Sequence, residues 1–80
     1  MTHVNSMNEI KTAVLELQKD IWSNDTVASW KAQIRYEKLV DRFFIENENL
    51  LAPPQKKVCI HDMGYFLSLI ESAIEYYIEQ

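Results

Sequence analysis

Glycine occurs once in this chain, proline only as the adjacent pair Pro53-Pro54, and cysteine once, at Cys59. So few turn-formers do not serve a β-rich fold, which needs a reversal after every short strand. A single cysteine excludes a disulfide within the chain. One Cys with two His, His3 and His61, does not supply a structural zinc site. Long apolar runs are missing as well: the longest stretch without a charge is Met63 to Ile70, far short of the ~20 residues of a membrane-spanning helix. There is no excess of positive charge, and a net charge of −4 disfavours broad phosphate binding. The opening MTHVNSMNEIK has no basic region leading into an apolar stretch, so no secretory signal is expected. With a lone cysteine, the expected setting is cytoplasmic; export without an N-terminal signal stays open.

What is present is apolar residue at helical spacing. At 80 residues with 48% apolar composition, the chain is expected to be one small folded domain spanning 1–80. A domain of this size buries only ~60% of its unfolded surface, and self-association is one remedy for so thin a core. The expected fold is all-α, a small antiparallel three-helix bundle that dimerisation would complete.

The first helix is expected over about 6–22. Ser6-Met7-Asn8-Glu9 has the S-x-x-E pattern of a capping box. Met7, Ile10, Val14, Leu17 and Ile21 then alternate spacings of three and four, which is one stripe of a helix. Ser23 to Thr26 reads as a turn. The second helix is expected over about 26–47, capped by Asp25 or Thr26. On its wheel Lys31, Arg35, Lys38 and Arg42 form one basic stripe, and Ala32, Tyr36, Leu39, Val40 and Phe43 are read as lying opposite. Val27, Trp30, Ile34 and Phe44 fill a third sector, interrupted by Glu37 and Asp41. At ~100° per residue, apolar groups take more than half of the wheel. After the connection Leu50-Leu51-Ala52-Pro53-Pro54, a third helix runs to about 79. Proline suits a helix start near 55, while Gly64 and Lys56-Lys57 favour a start at 62 with Asp62 as cap.

Chemistry-bearing clusters are few. In Cys59-Ile60-His61-Asp62 the Cys and His of a nucleophilic pair would point to different helix faces, and a small buried Cys beside a capping Asp is the plainer reading. His61-Asp62 resembles the metal-binding pair of a phosphohydrolase family, but that chemistry needs further His and Asp ligands on a much larger helical domain, and this chain has two His. Glu71 and Glu75 lack the Glu-x-x-His partners of a di-metal bundle. Ser68 lacks the preceding Asp of a carrier-protein serine. No enzyme, metal or cofactor is expected.

The surplus is aromatic. Trp22, Trp30, Ile34, Phe44, Tyr65 and Tyr76 do not all fit on the inner faces of three helices, and Trp and Tyr are favoured at interfaces. The expected function is a small protein-interaction module: a regulator, inhibitor, immunity protein or adaptor. Its expected binding residues are Trp30, Ile34, Lys31, Arg35, Lys38, Arg42, Trp22 and Phe44. Two other readings stand beside it: a homodimeric module, and a nucleic-acid binder using the basic stripe, which Glu37 and Asp41 oppose.

Overall fold

A computed structural model describes residues 2–79. Among them the chain is all-helical: α1 Thr2–Ile21, α2 Thr26–Glu46, α3 Pro53–His61 and α4 Met63–Glu79. No helix there is long and apolar enough to cross a membrane.

α1 starts earlier than the Ser6 motif predicts, at Thr2. The two capping groups are used elsewhere. Ser6 Oγ donates to Glu46 Oε2 at 2.8 Å and accepts from Arg42 Nη2 at 3.0 Å. Glu9 Oε2 accepts from the same Arg42 nitrogen at 3.2 Å. Partners some forty residues away, one of them a full charge, outcompete the local box. At the other end of α1, Ser29 Oγ donates to the Ile21 carbonyl at 3.0 Å, which satisfies one of the orphan acceptors of the last turn. α2 is capped as read: Asp25 Oδ1 accepts from the backbone N–H of Val27 and Ala28 at 3.0 and 3.2 Å.

The two starts weighed for the last helix both occur, because the segment is two helices. In α3 the prolines occupy the first positions, where a missing N–H loses nothing, and Gln55 Oε1 accepts from the Ala52 N–H at 2.7 Å. Asp62 alone separates α3 from α4. Its own N–H closes α3 on the Val58 carbonyl at 2.8 Å. Its side chain caps α4 by accepting from the Tyr65 N–H at 3.0 Å.

α1 packs on α2 and on α4, and α3 bridges α2 to α4. The core draws on all four helices: Met7, Ile10, Val14 and Leu17; Ala32, Tyr36, Val40 and Phe43; Cys59; Phe66, Ile70 and Ala73. The Phe66 ring stands edge-on to both Tyr36 and Phe43, with centroids 5.6 and 5.3 Å away. The buried Tyr36 hydroxyl donates to the Cys59 carbonyl and so ties α3 to α2. Asn47, a polar side chain, is buried with this core. Asn47 Nδ2 donates to the Phe43 carbonyl at 2.8 Å, and Asn47 Oδ1 accepts from the Tyr77 hydroxyl at 2.9 Å. It pins the end of α2 to the end of α4, where Tyr77 also stacks on His3.

Candidate protein-binding surface

α2 meets the core along Ala32, Tyr36, Val40 and Phe43, and the other residues of the helix fall into three groups. The first is apolar and open. Trp30 is 64% exposed and Val27 59%. Ile34, one turn beyond Trp30, is partly buried yet lies outside the core cluster. Lys31 beside them is exposed and has no ion pair among the described residues. Trp22, in the turn before α2, is 79% exposed.

The second group is the basic stripe, and its placement corrects the wheel. The stripe does not lie opposite the core face but flanks it. Arg35, Lys38 and Arg42 share a groove of about 540 Å³ with Leu39, facing Ala13, Glu16, Leu17 and Asp20 of α1. At ~100° per residue, the stripe is centred about a third of a turn from the core residues, and the side chains of Arg35, Lys38 and Arg42 reach over the neighbouring helix. Arg42 is engaged there with Glu9 at 3.2 Å and Glu46 at 3.5 Å, and these acids hold its guanidinium pKa above the ordinary value, the Glu9 hydrogen bond foremost. Arg35 and Lys38 have no such partner among the described residues.

The third group sits at the end of α2. Phe44 is partly buried, packs against the core and stands edge-on to Phe43 at 5.8 Å. It lines a notch of about 290 Å³ with Ile45, Leu51 and Pro53, rimmed by Asp41, Glu48 and Lys56. Ile45, 72% exposed, was not among the residues expected from sequence. The signal was present: Val27, Ile34 and Ile45 fall in one sector of the wheel. Of the two remaining off-core aromatics, one is used by the fold. Tyr65 packs against the core and its hydroxyl accepts from Gln55 Nε2 at 3.2 Å, while Tyr76 is 43% exposed.

Cys59 is fully buried, and burial, reinforced by the Asp62 charge, pushes its thiol up to about 11, which suppresses the nucleophilic thiolate. Burial likewise raises the Tyr36 hydroxyl, with Cys59 and Asp62 adding to it. No group of three His, Cys, Asp or Glu side chains is placed to hold a metal among the described residues. No family model, curated protein or solved structure matches the chain.

Proposed function

We propose that the chain is a small non-catalytic interaction module, a regulator, inhibitor, immunity protein or adaptor, that binds another protein through the first half of α2. Its frame is read as a bundle of the three long helices α1, α2 and α4, with α3 a bracket across one side. The observation that carries the function is Trp30, 64% exposed, beside Val27 and Ile34 on a helix whose core face is already occupied by other residues. A large aromatic with an apolar neighbour and a cationic rim is the composition of an interface hot spot. Lys31 supplies that rim, so the fitting partner is apolar with an acidic edge. The action is occlusion or a shift in the partner's conformational population, with no covalent step. A lone buried thiol fits a reducing, cytoplasmic setting.

A nucleic-acid reading gains little. Arg42 is engaged by carboxylates, and Glu16 and Asp20 face Arg35 and Lys38 across the groove, which opposes phosphate tracking.

Affinity capture from the native host with the wild-type chain and the double variant Trp30→Gln, Ile34→Gln tests the protein-binding reading. A protein held by the first and lost by the second, at unchanged helical circular dichroism, supports it. Equal capture by both, or collapse of the helical signal in the variant, overturns it.

A further inference from the structure

The groove between α1 and α2 has walls of opposite charge. Glu16 and Asp20 stand on the α1 side, and Arg35 and Lys38 on the α2 side, over a floor of Ala13, Leu17 and Leu39. Glu16, Asp20, Arg35 and Lys38 make no ion pair among the described residues. The fold brings these charges to the two walls of one groove and leaves them apart. Among the described residues a pair across this groove closes only at the Arg42 end, to Glu9.

We infer that this face is a dimer interface, in which the groove of one chain meets the groove of a second copy about a twofold axis running along it. The rotation carries α1 of the second copy over α2 of the first. The acidic wall of each chain then lies along the basic wall of the other, twice, because both walls line one groove, with Glu16 of each chain set towards Arg35 of the other. The alternative twofold, across the helices, sets acid over acid and cation over cation, which is strongly unfavourable. Both pairings are isologous, and charge selects one of them. The Arg42–Glu9 pair is satisfied within its own chain and makes no demand on the partner. Ala13 lets the helix backbones approach, and partly buried Leu39 gives the axis its apolar contact. The product is a four-helix layer, α1 and α2 of each chain, of the kind that packs at about 8–10 Å between axes. Trp30 stays outside this face, so the dimer presents the proposed binding surface twice, and the dimer does not depend on that reading.

The test is mass by sedimentation or light scattering over a dilution series in low salt, with circular dichroism as the fold control. The wild-type chain should pass from monomer to dimer with concentration, and high salt should move the midpoint to higher concentration. Arg35→Glu with Lys38→Glu, or Glu16→Lys with Asp20→Lys, should each weaken self-association by about a hundredfold or more, since juxtaposed like charges cost several kcal/mol. The two variants mixed one to one should re-form the dimer as a heterodimer. Should a reversal lose the helical signal, the neutral pairs Arg35→Gln, Lys38→Gln and Glu16→Gln, Asp20→Gln carry the test and should weaken it by about tenfold. Trp30→Gln with Ile34→Gln should leave the midpoint unchanged. A wild-type chain that stays monomeric at high micromolar concentration overturns the inference. So does a dimer whose midpoint the groove charges do not move.

Discussion

In its second half α2 buries Val40 and Phe43, with Asn47 at its C-cap, and ties Arg42 to Glu9 and Glu46. In its first half it buries Ala32 and Tyr36 and leaves Val27, Trp30 and Lys31 to solvent. The helix is continuous and its spacing hardly changes, so the difference lies in what surrounds it. α1 and the end of α4 close on the second half through Ser6, Met7, Asn47 and Tyr77, and α3 lies against it through Lys56 and Asp41. The first half has the end of α1 beside it and one wide groove. Ile45 at the last turn apart, apolar residues therefore stabilise the fold in one half and are free for recognition in the other.

Substitutions should separate the two halves by size of effect. Phe43→Ala removes a ring that two other aromatic side chains abut, and chemical denaturation followed by circular dichroism should show a loss of about 3–5 kcal/mol. Asn47→Ala strips a buried partner from the Phe43 carbonyl and the Tyr77 hydroxyl, and the same measurement should show about 1–3 kcal/mol.

Alkali should act through the buried thiol. The pKa of Cys59 is raised from 9.0 to about 11, so the unfolded chain ionises first. Stability is then held below about pH 9 and lost as pH rises towards 11. Cys59→Ala should flatten that curve up to about pH 10, above which the buried Tyr36 hydroxyl, also raised from its ordinary 10.0, still lowers stability. Arg42→Ala breaks exposed pairs only, and about 1 kcal/mol or less is expected. Smallest of all, Trp30→Gln should leave stability within about 0.5 kcal/mol. A loss there as large as that of Phe43→Ala would erase the contrast and place Trp30 in the core.

Much of the frame was legible in the chain. Met7, Ile10, Val14 and Leu17 are buried as their spacing requires, because a core face is a periodic property and periodicity is visible locally. Asp25 caps α2 for the same reason: its partners are two and three residues away. Ser6 and Glu9 misled because their partners, Arg42 and Glu46, lie more than thirty residues off, beyond the reach of a motif. The basic stripe was found as a set but set opposite the core. Which neighbouring helix lies beside a flank is a tertiary fact, and Arg35 and Lys38 could not report it. Ile45 lies five full turns from Val27 in the same sector, but its exposure depends on which helices cover the end of α2, and spacing within one helix does not carry that. Asp62 was weighed as a cap and proved to be the whole connection between two helices.

Trp22 and Trp30 are the two tryptophans of the chain, and both stand in solvent at 79% and 64% exposure. The intrinsic fluorescence of the folded protein should therefore resemble that of an unfolded one, with red emission and ready quenching by small solutes. Core dissolution will be almost silent in that signal. A partner that covers Trp30 will shift it to the blue, so this fold reports its encounters far better than its own integrity.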